Sequence, residues 1–448
     1  MQGAAHPLHT PSCRDLGVQP SRPYAAAASL LPPDLEGAHQ VNENDPARFV
    51  LVCEPLGVNN LMGALHPHGA LYEKPVNVEE AARQHAAFRD AIRDAGAVCV
   101  TVKDVLMFGC DRSERARLDL ERLAMRSLKY ELDPATEPES LTDQERHFIS
   151  DTYKVEAVEA MSVGQLVDVV FSRPTVDIRR SFRDTGFTAR YRFEPLTNVL
   201  FSRDQQIVTA RGVVLARMRS EQRTNEVELM RFVWQKLGIE PVGSVEAPGY
   251  LEGGDFIPAR GVAFIGVGLR SNEEAVRQLC ARDLWGQRTV AVVKDNFEHD
   301  QARMHLDCVF SVLSETCAIV AADVLGEDAP LRRLVDEYVL ADDGDGGDAV
   351  DAACSAWGRY RKVASDVEFG AYLEQKGYSV IPVPREEQLE YACNCLNLGR
   401  DVGVLSCHHP SAKRIAKHPK FDSDIRFVPF HSVTSMYGAC HCCSQVLR

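Results

Sequence analysis

Apolar positions along the chain alternate between two periods. Phe49 to Cys53 is a short continuous apolar run, as in a buried strand, and Val98 to Val102 is another. Between them Val78 to Ala95 spaces its apolar residues as one face of a helix, and Gly96 fits the stop of that helix. From 113 to 182 helical spacing dominates, through Leu118, Leu120, Leu123 and Met125 and again through Leu166, Val169 and Val170. This stretch reads as helix and loop throughout. Two helix starts inside it carry capping boxes, Thr142 with Glu145 and Ser162 with Gln165. Strands return at Gln206 to Ala210, Ala263 to Ile265, Thr289 to Val293, Cys308 to Val312, Ser379 to Val383 and Phe427 to Pro429, with a helix over Thr224 to Leu237 closed by Gly238. Short strands with intervening helices predict an α/β fold.

The expected organisation is a flexible N-terminal arm at 1–46, an α/β domain made of 47–112 and 183–448, and a helical insertion at 113–182. The arm is rich in Ala, Pro and Ser and lacks either period. A transit peptide would carry more Arg and an amphipathic pattern, so a plain tail is the preferred reading. The Gly-rich acidic stretch Ala341 to Asp348 reads as a surface loop, because its like charges cannot be buried together. The chain has 448 residues, enough for two or three domains' worth of core, and a net charge of -14 that repels polyanions. Nucleic acid and membrane are therefore poor partners, and no run of eighteen apolar residues appears. A cytoplasmic protein is expected, with homo-oligomerisation left open, and the 14 Cys read as free thiols.

Four segments place reactive or charged residues at strand ends or tight turns. Glu194 to Asp204 runs an apolar strand into the Arg203–Asp204 pair, which alone reads as a solvated pair. Leu251-Glu252-Gly253-Gly254-Asp255 sets two carboxylates around a glycine pair, and like charges so close call for a cation, either a metal or a guanidinium held by paired hydrogen bonds. His305 and Asp307 would share one face of a strand, so that the carboxylate places or charges the imidazole. The last segment holds Cys440, Cys442 and Cys443 around His441, with Cys407-His408-His409 as a second half-site for metal. These spacings are tighter than tetrahedral zinc favours, so a single nucleophilic thiolate activated by a distant His competes with metal binding.

Taken in order, the segments resemble the arginine deiminase branch of the guanidino-group-modifying, amidinotransferase-like superfamily. The run Pro195-Leu-Thr-Asn198-Val-Leu-Phe201-Ser-Arg-Asp204 is similar to that family's P-L-P-N-x-x-F-T-R-D; S-E-x-R at 220–223, L-E-G-G-D at 251–255, M-H-L-D at 304–307 and N-C-L at 394–396 also match, as does 61–79 ahead of the first long helix. The resemblance implies a five-bladed ββαβ propeller of the pentein kind around a central pocket, with an inserted helical domain. Such an insertion marks arginine deiminases and is missing from agmatine deiminases and dimethylarginine hydrolases.

By the same resemblance Asp204 and Glu252 grip a substrate guanidinium, His305 is the general acid and base, and Cys442 is the nucleophile, since His-Cys-x-Ser-Gln at 441–445 is similar to a family ending. The ending similar to 441–445 is the H-C-x-T-Q of agmatine deiminases. Asp255 and Asp307 support the site, Asn198 and Phe201 line it, and Arg223 and Arg270 correspond to arginines that bind the α-carboxylate. Neither metal nor cofactor is implied. A third family arginine is replaced by Tyr437, which leaves agmatine or another guanidino compound open beside L-arginine. Two other readings stay open: an amidinotransferase, in which an amine resolves the covalent intermediate, and a catalytically silent guanidino-binding or thiol-metal sensor.

Overall fold

Five copies of one connectivity make up most of the chain: an antiparallel strand pair, a helix, and a third strand parallel to the second. The computed structural model describes residues 25–35, 37–298, 300–341 and 356–448. In the first unit Ser444–Leu447 pairs antiparallel with Phe49–Val52, the helix Val78–Asp94 follows, and Val98–Thr101 returns parallel. The second joins Gln206–Thr209 and Gly212–Leu215, the helix Thr224–Lys236 and Gly243–Ser244. In the third, Phe256–Ala259 and Val262–Val267 precede the helix Glu273–Ala281 and Thr289–Lys294. Phe310–Ser314, Cys317–Ala321, the helix Phe369–Gln375 and Ser379–Val383 form the fourth. The fifth comprises Leu396–Asn397, Val404–Ser406, the helix His409–Ala416 and Ile425–Phe427. The five-bladed ββαβ propeller expected from the motifs is thus present in the connectivity itself, and the strand Ser444–Leu447 closes the ring by completing the first blade.

The central strands Phe49–Val52, Gly212–Leu215 and Cys317–Ala321 are apolar and buried end to end, as strands covered on both faces are. Predicted and observed strands coincide at Ser379–Val383. The strand expected at 308–312 begins at Phe310, because Leu306–Cys308 forms a 3-10 turn first, and the one expected at 427–429 is Ile425–Phe427. Both predicted capping boxes are formed, Thr142 with Glu145 and Ser162 with Gln165.

Three readings need correction. The stretch after 113 is not all helix and loop: alongside the helices Glu114–Ser127, Asp151–Glu159 and Val163–Ser172 lies a three-stranded sheet of Lys129–Leu132, Pro174–Arg180 and Phe187–Phe193. Phe187, Ala189, Tyr191 and Phe193 alternate with Thr188, Arg190 and Arg192, a period of two, and Arg192 ties the strands through Asp177 at 2.7 Å and Glu131 at 2.5 Å. Residues 25–46 are not a free arm either. Ala27 is fully buried and its amide bonds to Lys236 O, while the amides of Gln40 and Glu43 bond to Thr209 O and Pro258 O. Leu30, Leu31 and Leu35 pack on the same apolar cluster, which fixes this strap to the outside of the blades. The rest of the arm, residues 1–24, and the acidic stretch beyond Ala341 lie outside the described residues. Finally, His305 and Asp307 do not share a strand face, for His305 caps the 3-10 turn Leu306–Cys308 and Asp307 lies within it. Among the described residues no helix is long and apolar enough to cross a membrane.

Candidate active site

Every blade delivers a polar residue to the centre from the segment just ahead of its first strand. Asp204 precedes Gln206, Glu252 and Asp255 precede Phe256, His305 and Asp307 precede Phe310, Asn394 precedes Leu396, and Cys442 precedes Ser444. The pseudo-symmetry of the ring therefore brings together residues up to 238 positions apart, such as Arg203, whose Nε donates to His441 O at 3.3 Å. Backbone bonds lock neighbouring blades at this point: Gly253 N donates to Asp204 O at 3.0 Å and Arg203 N to Cys442 O at 3.1 Å. The glycine pair is required by close approach. A Cβ at Gly253 would lie 2.0 Å from Arg203 O, and one at Gly254 would lie 2.6 Å from His305 Nδ1.

A narrow pocket opens onto this centre, lined by Asp204, His305 and Cys442 and by Leu71, Arg270, Met304 and Tyr437. Asn198, Phe201 and Arg223 also line it. Cys442 Sγ receives Asn394 Nδ2 at 3.1 Å and lies 3.3 Å from Asp307 Oδ2, which also faces His441 Nδ1 at 2.8 Å. Cys440 and Cys443 do not line the pocket and belong instead to the apolar cluster behind it. Burial first, and then the nearby carboxylates Asp307 and Asp204, hold the Cys442 thiol well above its ordinary range. Burial raises Cys443 likewise, and for Cys440 the largest cause is its hydrogen bond with Cys407. Thiol acidity does not single out one cysteine; position in the pocket does.

Glu252 is wholly buried and both its oxygens are engaged. Oε2 meets His305 Nε2 at 2.9 Å, while Oε1 accepts from Arg219 N at 3.0 Å and faces Arg270 Nη1 at 3.8 Å. Burial would raise this carboxyl, but His305, Arg270 and Arg223 outweigh it and lower it to about 2. For His305 the balance is reversed: burial depresses the imidazolium, and Asp204, Glu252 and Asp255 overcome it, raising the pKa to about 9. The cation that the acidic Gly-Gly turn called for is thus the His305 imidazolium. Asp204 Oδ2 accepts from Arg223 Nη1 at 2.8 Å, whereas its buried Oδ1 has no hydrogen-bond partner and stands 3.8 Å from His305 Nδ1. An unpartnered buried carboxylate oxygen aimed into a pocket is a receptor for an N–H donor.

The two sequence-predicted arginines differ. Arg223 bonds to Asp204, to Glu226 Oε2 at 3.1 and 3.0 Å and to Asn198 O at 3.3 Å, so its donors are almost fully committed to the protein. Arg270 bonds to Gln301 Oε1 at 2.9 Å and keeps a buried Nε without a partner. Asn198 braces the pocket wall through Ala70 O at 2.8 Å, and Phe201 packs where a Cβ on Gly438 would lie 2.3 Å from its ring. Asp255 is not in this pocket; it binds Leu306 N at 2.9 Å behind His305. Tyr437 takes the left-handed backbone at φ 73° on the pocket rim. Asn394, His441, Glu226 and Gln301 were not singled out from sequence for a role, although Asn394 and His441 stand inside quoted motifs.

Asp204, Glu252 and His305 are the one set among the described residues whose three ligand-type atoms lie within 4.8 Å of one another. Arg223 Nη1 already occupies the approach to Asp204 and stands 3.8 Å from Glu252, so a metal ion there would meet a fixed positive charge. The donor set is better matched to a planar cation of low charge density than to a divalent ion.

Five ββαβ blades closing on a central pit of Cys, His and carboxylates define the pentein architecture. The family model "Arginine deiminase" matches residues 69–448. The chain belongs to the arginine deiminase family. Among curated relatives it is 25% identical to arginine deiminase of Halobacterium salinarum over 332 residues, covering 57% of this chain and 65% of that one. It is also 25% identical to arginine deiminase of Mycolicibacterium gilvum over 314 residues, covering 62% and 73%. The match thus spans about two thirds of the length of those relatives or less in several cases, as with 57% of the Borrelia recurrentis protein. Among solved structures, a dimethylarginine dimethylaminohydrolase adduct has a TM-score of 0.49 at 14% identity, covering 90% of this chain and all of the other.

Proposed function

We propose that the protein hydrolyses L-arginine to citrulline and ammonia through a covalent intermediate on Cys442. The observation that carries this reading is the convergence, in one buried pocket, of a thiol, a cationic imidazole and an unpartnered carboxylate oxygen, Asp204 Oδ1. A guanidinium is planar, cationic and a poor electrophile, so it needs an oriented nucleophile and proton transfer more than it needs a Lewis acid. Asp204 Oδ1 accepts a guanidinium N–H, and Asp307, 3.3 Å from Sγ, faces the same point from beneath. Docking the substrate cation beside Cys442 offsets the carboxylate field that holds the thiol up, so the thiolate forms with substrate bound.

The thiolate adds to the guanidinium carbon, and the His305 imidazolium protonates one terminal nitrogen. That C–N bond breaks with its electron pair on nitrogen, ammonia leaves, and an S-alkylthiouronium remains. Neutral His305 then takes one proton from water as its oxygen adds to the same carbon; the C–S bond breaks with its electron pair on sulfur, the remaining hydroxyl proton passes to solvent, and the ureido product is released. In this reading Glu252 positions His305 and holds it charged, instead of clamping the substrate as its motif implied, because both of its oxygens are already committed. The α-carboxylate falls to Arg270, the pocket arginine with a free buried donor.

A second reading, agmatine as substrate, is favoured by one observation. Tyr437 stands where the resemblance expects an arginine, and the charges that bear on its hydroxyl are those of Glu73 and Asp300. The experiment is to supply L-arginine or agmatine, with reductant and chelator, and to quantify ammonia, citrulline and carbamoylputrescine. Equal citrulline and ammonia from arginine support the first reading, product from agmatine alone supports the second, and no product from either refutes both.

A further inference from the structure

His305 is a wall between two spaces. On one side lies the substrate pocket; on the other lies a narrow cleft with room for about one water, lined by Asp255, Gly268, Asp295, Arg303 and Arg333, which meets the first at Met304 and His305. Its outer rim is Val267, Gly268 and Leu269, all half-exposed, so it opens to the surface. Its inner end is polar and incompletely satisfied. Asp255 Oδ2 and Arg333 Nε are both buried without a hydrogen-bond partner, on side chains that are 4% and 5% exposed. Asp255 spends its other oxygen on Leu306 N at 2.9 Å, and Arg333 spends Nη1 on Asp295 at 2.6 Å. One end therefore wants a donor and the other an acceptor, and water supplies both.

The geometry points to this rear cleft as the site that stores and delivers the hydrolytic water, an inference that rests on the proposed covalent reaction. While the thiouronium is attached to Cys442, the rest of the substrate fills the front pocket, and the second half-reaction needs one water at the carbon beside His305. The two spaces meet at Met304 and His305, so water that passes between these side chains arrives beside the imidazole without displacing the bound intermediate. Its oxygen bonds to the thiouronium carbon, one proton passes to neutral His305, the C–S electron pair returns to Cys442, and the remaining hydroxyl proton leaves to solvent as the ureido carbonyl forms. Asp255, pushed up by burial to about 6, is an acceptor in this cleft at the pH where the enzyme would turn over.

The test narrows the rim with Val267→Phe and, separately, Leu269→Trp, both at part-buried positions, and urea unfolding of each variant confirms that it folds. Acid-quenched protein is weighed intact during turnover of L-arginine and of agmatine, and the rate constants for adduct formation and decay are measured by rapid quench. The expected result is a slower decay, by about tenfold, with formation unchanged within about twofold, so that adduct accumulates on Cys442. Unchanged decay in both variants, or formation and decay slowed together, would overturn the rear-cleft route while leaving the chemistry intact. No adduct in the unsubstituted protein with either substrate would instead overturn the covalent reading on which the route rests.

Discussion

Glu252→Gln isolates the charge that holds His305 protonated. The substitution keeps the side chain's length and the oxygen that accepts from Arg219 N, and it deletes the carboxylate that meets His305 Nε2 at 2.9 Å. Burial alone would push His305 below 6.5; Asp204 first, then Glu252 and Asp255, lift it to about 9. That lift of roughly 2.5 units is worth about 3 kcal/mol in favour of the imidazolium. Asp204 survives the substitution, so only part of the lift is lost. A fall of one unit would reduce the protonated fraction at pH 8 from about nine-tenths to about one half, and a fall of two units to about one-tenth. Because the proton donor is the imidazolium, activity declines as pH rises through its pKa, and the alkaline limb of kcat/KM moves to lower pH by roughly one to two units. The assay is a pH–rate profile from 5.5 to 10, paired with a nitrogen NMR titration of the imidazole. An alkaline limb that stays in place, or moves upward, would refute the role given to Glu252.

Other substitutions probe other links. Gly254→Ala forces a methyl to 2.6 Å from His305 Nδ1, so kcat should collapse with a loss of about 1–3 kcal/mol in urea unfolding; activity kept intact would contradict the packing argument. Arg270→Met should raise KM for L-arginine by about 10- to 100-fold and leave agmatine kinetics nearly unchanged, whereas an equal loss on both substrates would remove Arg270 from carboxylate recognition. Arg448→Ala strands the buried carboxylate of Glu43, whose Oε2 is 3.0 Å from Arg448 Nη2, and should cost about 3–5 kcal/mol at pH 7. Burial raises Glu43, but Arg448, His441 and Arg203 outweigh it and lower it to about 2. Its contribution is therefore complete above its unfolded value of 4.5 and lost as pH falls through about 2, and chemical unfolding from pH 7 to 2 should show that dependence weakened in Arg448→Ala.

Part of the ring was legible because some buried strands are plain apolar runs, such as Phe49–Val52 and Thr289–Lys294, and because the helix Val78–Asp94 shows one apolar face. What local patterning could not reveal was which strand pairs with which. The closure of the first blade joins Phe49 to Leu447, and the outer strands Leu334–Leu340 and Tyr360–Glu368 extend the third sheet to five strands. The sheet inside the insertion was missed because Phe187–Phe193 is largely exposed, so its alternation lacks the apolar weight of a core strand. The strap at 25–46 is held by scattered apolar contacts such as Ala27, Leu30 and Leu35, by backbone amides and by polar residues such as Gln40 and Glu43, a mixture with no hydrophobic period.

The site was legible in part. Asp204, His305 and Cys442 do meet in one pocket, and the coordinates add what the motif order does not carry, that each Glu252 oxygen already has a partner within the protein. The same holds for Arg223, whose acidic partners Asp204 and Glu226 commit it before any ligand arrives. Asn394 and His441, which fix the Cys442 backbone and Asp307, act through amide and ring contacts that sequence spacing does not encode.

The most direct test of the account is to quench the enzyme in acid during turnover of L-arginine, map the modified peptide by mass spectrometry, and repeat with Cys442→Ala. The account predicts a thiouronium adduct on Cys442 in the unsubstituted protein, and in Cys442→Ala no adduct together with a loss of at least about 10⁴-fold in citrulline formation. Citrulline formation that survives in Cys442→Ala, or an adduct on Cys440 or Cys443, would contradict it.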